Sequence, residues 1–272
     1  MRTSSRRKLD IGLLIGGSVV LAGGAMLGSA AGNQERVTRF WTGAVVAADG
    51  SAQVSEAIDW EFGISQKHGI FRDVPGVDPG APITVSSPDA PDQAEIGFSP
   101  VLDGTRIKIG DPDTTITGRH LYRIDYPLPG VVQDGRLDWE TTGTGWPVGM
   151  DEIEIHLVTP FTLDAGICSV GGTGATGGCE LTQVEPGHVV VRVDSVGAHE
   201  SVSVEGNVGA PLPTAPAAPA PPADPPDEPG TGILPPGGTA AAGALVAAVP
   251  MGVLVRRAGR ERVAAGGAAD AP

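Results

Sequence analysis

Glu56 and His68 are the residues whose types and positions point most directly to acid–base chemistry. Glu56 alternates with Val54, Ile58 and Trp60, so it falls on the apolar side of a predicted strand. Burial of an unpaired carboxylate is costly there, so we expect Glu56 to have a cationic or hydrogen-bonding partner. A buried carboxylate without such a partner would have a raised pKa and the properties of a general acid.

Arg72 is the cation that we expect beside Glu56, in an ion pair that fixes two strands. The alternative is a hydrolase site in which Glu56 or His68 acts together with neighbouring acids. His68 precedes Gly69 and is expected at a turn, where capping or hydrogen bonding is its ordinary role. Burial of Glu56 against Arg72 favours the structural hypothesis, whereas an open cleft lined by all three side chains favours the hydrolase.

Acidic clusters are the remaining candidates for ligand binding. Glu152, Glu154 and His156 project from one face of a predicted strand, which is both a conceivable divalent-metal geometry and an ordinary exposed strand face. The segments Asp49-Gly50 and Asp111-Pro112-Asp113 have turn composition, although their carboxylates are of the type that binds calcium outside cells. We expect no cofactor, and a calcium-dependent surface adhesion module is kept as an alternative.

Cys168 and Cys179 are the only cysteines, and they flank the Gly-rich segment 169–178. An even pair at this spacing in an exported chain predicts a disulfide, which would restrain a mobile hairpin tip. Two thiols lack the further ligands of a metal site, so we expect no metal there.

The elements that must position these residues are short strands. Most of the region 33–206 alternates apolar and polar residues between Gly, Pro and Asp turns, without a clear helical period. Strands are predicted at 42–47, 54–62, 82–85, 106–109, 121–126, 152–157, 189–193 and 201–204. About eight to ten strands over this length predict an all-β domain, a β-sandwich of immunoglobulin-like or similar type. A partly closed barrel is the alternative.

Charge is distributed unevenly along the chain. Residues 32–236 hold 29 of the 32 acidic and 10 of the 18 basic residues, which gives this region a net charge of −19. Nucleic acids and anionic membrane surfaces require a basic face, so we exclude both as partners of this region. The acidic charge indicates a soluble surface and leaves cationic partners open.

Both ends of the chain have the composition of membrane or targeting segments. Four basic residues precede the charge-free run 11–31, so we interpret 1–31 as a signal peptide or an uncleaved membrane segment. Residues 237–255 are uncharged and precede four arginines, which predicts a C-terminal transmembrane helix with 256–272 as a cytoplasmic tail. The basic clusters then place residues 32–236 outside the cytoplasm, in a single- or double-pass membrane protein.

Residues 207–236, between the β-domain and the apolar run, are rich in proline. Such a composition favours extended polyproline II structure, so we predict a semi-rigid stalk that holds the domain 33–206 away from the bilayer. Leu234-Pro235-Pro236-Gly237-Gly238 also resembles a wall-sorting signal, although Gly237 stands where that signal has threonine.

An ordered series of motifs runs through residues 35–160. It includes Arg106-Ile107-Lys108-Ile109-Gly110 and Gly145-Trp146-Pro147, and its most specific part is His68-Gly69-Ile70-Phe71-Arg72-Asp73. The series resembles the bacterial membrane-protein family called domain of unknown function 2207. This resemblance implies an extracytoplasmic β-domain with membrane sequence behind it, and it implies no particular activity. Its motif residues are Glu56, His68, Gly69, Arg72 and Asp73.

These observations favour a non-catalytic interaction or assembly module of the bacterial cell envelope, with an envelope protein or a glycan as partner. The sequence contains no Gly-x-Ser-x-Gly or His-Glu-x-x-His motif and no phosphate-binding Gly-rich loop. An envelope hydrolase that uses Glu56 or His68 and a calcium-dependent adhesion module remain as alternative hypotheses.

Overall fold

The computed structural model describes residues 34–222, which form fourteen β-strands. The strands are β1 (Arg36–Val46), β2 (Ala52–Glu61), β3 (Gly69–Pro75), β4 (Thr84–Ser86), β5 (Ala94–Phe98), β6 (Gly104–Gly110), β7 (Arg119–Leu128), β8 (Val132–Gln133), β9 (Arg136–Glu140), β10 (Met150–Val158), β11 (Phe161–Gly171), β12 (Leu181–Glu185), β13 (His188–Val196) and β14 (Ser201–Pro211). The predicted all-β class is confirmed for this region.

The predicted signal or membrane segment 1–31, the stalk from residue 223 onward, the span 237–255 and the tail 256–272 lie outside the described residues. Within residues 34–222, no helix has the length and apolar character needed to cross a bilayer.

The strands form three open sheets. Seven strands lie in the order β12-β13-β10-β1-β2-β7-β4, four in the order β11-β14-β9-β8, and three in the order β3-β6-β5. Adjacent strands are antiparallel except β1 and β10, which are parallel. The strand β2, which carries Glu56, therefore lies well inside the largest sheet.

One hydrophobic core is shared by the three sheets. The alternation of β2 places Val54 and Ile58 in this core, opposite their register partners Tyr126 and Tyr122 of β7. The two smaller sheets contribute to the same core, with side chains that include Ile70, Ile107, Leu137, Trp139, Val202 and Val204. Burial of this apolar surface is the main favourable contribution to folding.

Each of the segments predicted as strands overlaps a strand in the structure, and these strands are β1, β2, β4, β6, β7, β10, β13 and β14. The strands that were not predicted include β5, β11 and β12, which lie at sheet edges. Four of the five residues of β12 are exposed, and a bulge in β11 exposes residues 164–167. A strand that buries little of either face has little apolar alternation for a sequence pattern to detect.

The predicted disulfide between Cys168 and Cys179 is present. Cys168 belongs to β11 of the four-stranded sheet, whereas Cys179 lies just before β12 of the seven-stranded sheet. Between them the chain turns back through an antiparallel bridge between Ser169 and Gly178. The bond therefore closes the turn from which the chain crosses from one sheet to the other.

The last strand extends further than predicted. β14 ends at Pro211, so the domain includes residues 207–211, which were predicted to belong to the stalk. Leu212 then donates its backbone N–H to the carbonyl of Pro160 at 2.8 Å. Residues 212–222 lie against the seven-stranded sheet, so this part of the proline-rich region does not extend away from the domain.

Candidate functional site

Glu56, Arg72 and Tyr126 meet inside the core, between two sheets. Glu56 lies on β2 and Tyr126 on the neighbouring β7, whereas Arg72 lies on β3 of the three-stranded sheet. Each of the three residues is at most 2 % exposed. The ion pair expected between Glu56 and Arg72 is present, and it joins two sheets as well as two strands.

Arg72 binds the Glu56 carboxylate through two parallel hydrogen bonds. Its Nε donates to Oε2 at 2.9 Å, and its Nη2 donates to Oε1 at 2.7 Å. Tyr126 donates its hydroxyl to the same Oε1 at 2.7 Å. A bidentate arginine–carboxylate pair is among the strongest hydrogen-bonded ion pairs in proteins, and here a third donor completes it.

The remaining guanidinium nitrogen of Arg72 is bound by the main chain. Nη1 donates to the carbonyls of Asp73 at 2.6 Å and Thr142 at 2.8 Å. The guanidinium carbon lies 5.1 Å from the centroid of the Trp146 ring, a cation–π contact. Trp146 also donates its Nε1–H to the Thr142 carbonyl at 2.7 Å. The segment that follows β9 therefore completes the environment of the buried cation.

The electrostatics of the cluster keep its donors protonated. Burial alone lowers the pKa of Arg72, but the charge and hydrogen bonds of Glu56 raise it, so that the pKa lies above its ordinary value. Burial and the nearby Glu56 charge raise the pKa of the Tyr126 hydroxyl. Glu56 is enclosed by these donors, so the arrangement supports the structural hypothesis over acid–base catalysis.

Asp73, the next motif residue, makes a second bidentate ion pair within the three-stranded sheet. Its register partner Arg106 donates Nε to Oδ1 at 2.8 Å and Nη2 to Oδ2 at 2.7 Å. These hydrogen bonds raise the pKa of Arg106. The Arg106 guanidinium lies 5.2 Å from the centroid of Phe71, whose side chain is 51 % exposed. The motif residue Phe71 therefore exposes an aromatic ring to solvent beside the ion-paired guanidinium of Arg106.

His68 and Gly69 lie at the start of β3. The Nδ1 atom of His68 is 2.9 Å from the carbonyl oxygen of Thr114, in an exposed turn. Gly69 has a φ of 138° and pairs with Gly110, and a Cβ at this position would overlap the carbonyl oxygen of Ile109. Only glycine fits this close approach of the two backbones.

A cavity of about 520 Å³ lies beside this end of β3 and is lined by His68 and Phe71, among others. Neither Glu56 nor Arg72 lines it. In the described region His68 and Glu56 have separate partners, so Glu56, Arg72 and His68 do not line one common cleft.

The acidic turns use their carboxylates to hold the local backbone. Asp49 accepts hydrogen bonds from the N–H and hydroxyl of Ser51, at 3.0 and 2.7 Å. Asp111 accepts from the N–H of Asp113 at 2.8 Å and the hydroxyl of Thr114 at 3.0 Å. These bonds lower the pKa of both carboxyls. Within residues 34–222, no group of three or more acidic, histidine or cysteine side chains is arranged to hold a metal ion.

A histidine pair lies on the outer face of the seven-stranded sheet. The Nδ1 atom of His156 is 3.0 Å from Nε2 of His188, and its Nε2 is 2.9 Å from Oε1 of Glu154. Arg192 binds the same Glu154 oxygen at 2.7 Å, and the Trp41 ring lies 5.6 Å from the His156 ring. Burial lowers the pKa of His156, although Glu154 opposes the shift.

The sequence pointed to His156 but missed His188, because their proximity depends on strand register. His156 pairs with Val190 of β13, and His188 is the diagonal neighbour two residues away. Glu152, the third residue of the conceivable metal set, has a φ of 46° and is not among the residues of β10 that pair with β13.

The fold and the buried cluster define an all-β domain whose motif residues join its sheets. Residues 36–207, more than half of the chain, match the family described as Predicted membrane protein (DUF2207) N-terminal domain, and the chain belongs to this family. The match confirms the resemblance carried by the motifs and supports a membrane localisation. No curated protein matches the chain.

Several solved structures are distantly similar. The M1 zinc metallopeptidase of Deinococcus radiodurans shares 10 % identity at a TM-score of 0.38, with 63 % of this chain and 42 % of that chain covered. The native leukotriene A4 hydrolase of Saccharomyces cerevisiae shares 8 % identity at a TM-score of 0.40, with 63 % and 29 % covered. The chain spans less than half the length of either protein, and a likeness at this level carries no argument about activity.

Proposed function

We propose that this protein is a membrane-anchored extracytoplasmic protein of the bacterial cell envelope, whose β-domain is a non-catalytic interaction or assembly module. The observation that carries the proposal is the use made of Glu56 and Arg72. These motif residues, the best suited to chemistry, are engaged in a buried pair between sheets and are out of reach of a substrate. A scaffold stiffened in this way suits the presentation of a binding surface.

The proposed architecture is a β-sandwich. In this arrangement the seven-stranded sheet is one layer, and the three-stranded and four-stranded sheets together are the other. The single core shared by all three sheets supports it. A separate small cluster of Trp41, Ala57 and Leu121 lies on the outer face of the large sheet. Two layers allow sheets with one apolar face to bury that face.

The proposed topology places residues 32–236 outside the cytoplasm. Segment 1–31 would be a signal peptide or a first span, 237–255 a transmembrane helix and 256–272 a cytoplasmic tail. The basic residues at both ends and the acidic charge between them support this orientation. The description of the family as predicted membrane proteins supports the membrane location.

Protease shaving of intact cells tests the topology. The full chain carries an epitope after residue 272, and the cells are treated with a protease that cannot cross the membrane. We expect cleavage between residues 223 and 236 and a protected fragment that retains the epitope. Protection of the whole chain in wall-stripped cells, with cleavage only after lysis, would contradict the proposal.

Photo-crosslinking in the same cells tests the interaction role. Phe71 and Phe98 are 51 % and 81 % exposed on the three-stranded sheet, and Val184 is a matched control, 53 % exposed on β12. Each is replaced in turn by a photoreactive phenylalanine analogue. We expect discrete adducts with an envelope protein or a glycan from the three-stranded sheet and none from β12. If the wild-type protein hydrolyses envelope peptides or glycans and a folded E56Q variant does not, the hydrolase hypothesis is favoured instead.

A further inference from the structure

Residues 212–222, which we call the proline strap, cross the outer face of the seven-stranded sheet. The contacts along the path are those of Leu212 and Pro216 beside Gly187, Pro219 beside Gly43, and the carbonyl of Pro222 with Arg123, which donates its Nη2 at 3.0 Å. The path begins at the turn between β12 and β13, passes over Gly43 of β1 and ends at Pro222, which the Arg123 side chain of β7 reaches and which lines a cavity with residues of β1, β10 and β13. The strap therefore lies diagonally over strands β13, β10 and β1.

The strap touches the sheet with one edge. Leu212, Pro216, Pro219 and Pro222 are partly buried, whereas the other strap residues are exposed. The three prolines recur at every third residue, which is the period of a polyproline II helix. A three-residue period of burial is the pattern expected when one edge of such a helix lies on a surface.

The surface beneath the strap is built for an extended apolar segment. Trp41 and Ala57 are register partners on the outer face, and with Leu121 they form a buried cluster apart from the main core. Gly43 leaves room for the strap, because a Cβ there would approach Cγ of Pro219 to 2.9 Å. Grooves that bind polyproline II segments are typically lined by aromatic rings.

The groove continues past the end of the strap. A cavity of about 270 Å³ is lined by Trp41, Pro222, Arg39, Glu154 and Arg192, among others. Its charged rim and aromatic floor lie on the same face as the strap. Pro222, the last residue of the strap, therefore lies at the edge of this cavity.

We infer that this face of the seven-stranded sheet is a binding groove for extended proline-rich segments, which the strap occupies in cis, and that the partner it fits in trans is the same segment of a second copy. The hydrogen bonds found for the strap lie near its two ends, at Leu212 and Pro222. Proline has no N–H, so the middle of the strap is held mainly by apolar contact. Contacts of this kind make exchange of the strap between two copies feasible. This inference deepens the proposed interaction role and rests on it for the presence of several copies on one membrane.

Peptide binding to the full chain in detergent tests the groove. The probe is a fluorescent peptide with the sequence of residues 211–222, and binding is followed by anisotropy. The variant P216S/P219S removes two prolines that touch the sheet, whereas the control P213S/P221S removes two that are exposed. We expect the first variant to bind the peptide at least about tenfold more tightly than the wild type, because a tethered strap competes at an effective concentration on the order of millimolar.

The control is expected to behave like the wild type. Equal binding by all three proteins, or no binding by P216S/P219S with its thermal unfolding unchanged, would overturn the inference. A photoreactive residue at position 219 of the full chain provides a second measurement if P216S/P219S fails to fold. Adducts on β1 of the same chain or of a second copy support the groove, and adducts elsewhere contradict it. Peptide binding to the purified chain does not depend on its topology in the cell. Failure of the groove inference can therefore be distinguished from failure of the proposed topology in the shaving experiment.

Discussion

Arg72 on β3 and Glu56 on β2 form a bidentate ion pair that joins the three-stranded sheet to the seven-stranded sheet. Their side chains are 1 % and 0 % exposed. A pair at this depth adds little net stability compared with apolar residues of similar volume, but removal of one partner leaves an uncompensated charge in the core. Removal of one of the two residues without the other should therefore weaken the packing of the two sheets.

Loss of the carboxylate should be strongly destabilising. We expect E56A to lower the free energy of unfolding by about 3–5 kcal/mol, measured by urea denaturation, because Arg72 is then buried without its counter-ion. The control E95A removes the exposed partner of Lys108 and should cost less than about 1 kcal/mol. The double variant E56L/R72M should be less destabilised than E56A. Similar losses for E56A and E95A would argue against a role for the pair in joining the sheets.

Tyr126 and Tyr122 provide a matched test of the hydrogen bond to Glu56. Both lie on β7 and are at most 1 % exposed, but the Tyr122 hydroxyl has no hydrogen-bond partner among the described residues. We expect Y126F to lower the free energy of unfolding by roughly 1.5–3 kcal/mol, the range for a bond to a charged group. Y122F should be neutral or stabilising, because it removes an unsatisfied polar atom. Equal effects of Y126F and Y122F would contradict the difference in hydrogen bonding between the two hydroxyls.

The histidine pair should make the domain sensitive to acid. Burial lowers the pKa of His156 in the folded protein, below the value of about 6.5 for an unfolded chain. As the pH falls below that value the unfolded chain binds the proton first, so the stability present at neutral pH is lost. We expect the melting temperature to fall between pH 7.5 and 5.5, and to fall less in H156N. An equal fall in both proteins would assign the acid sensitivity to other groups.

The disulfide should stabilise the crossing between sheets. The bond joins residues 11 positions apart, and closure of a loop of this size contributes about 2–3 kcal/mol in the chain-entropy view. We expect the free energy of unfolding of C168S/C179S, measured by urea denaturation, to be lower by that amount. It should equal the free energy of unfolding of the wild type measured in reductant. A reductant effect that persists in C168S/C179S would show that the loss does not come from this bond.

Calcium should leave the stability of the domain unchanged. The carboxylates of Asp49 and Asp111 already accept hydrogen bonds from their own turns, and a cation would have to displace these donors. We expect no shift in melting temperature between chelator and millimolar calcium. A rise of several degrees that D111N abolishes would support the calcium-dependent adhesion hypothesis, since a ligand stabilises the state to which it binds.

The pair between Glu56 and Arg72 could be predicted because it follows from local rules. Alternation placed Glu56 on the apolar face of its strand, and the cost of burying a carboxylate required a cation nearby. The disulfide followed in the same way from two cysteines in an exported chain. Tyr126 and Thr142 belong to the same cluster and were missed. Each lies 70 positions from its partner, so its contact depends on which strands pair and which sheets meet.

The conformation of the strap follows from its composition, whereas its location follows from the tertiary structure. By itself the sequence determined that residues 212–222 are extended, because proline fixes the φ angle and has no N–H for a strand ladder. Only the tertiary structure decided that they lie on the domain and not away from it. That outcome depends on Trp41 and Gly43, which the folding of β1 into the sheet brings beneath Pro219. No pattern within the strap carries information about a surface assembled from such distant residues.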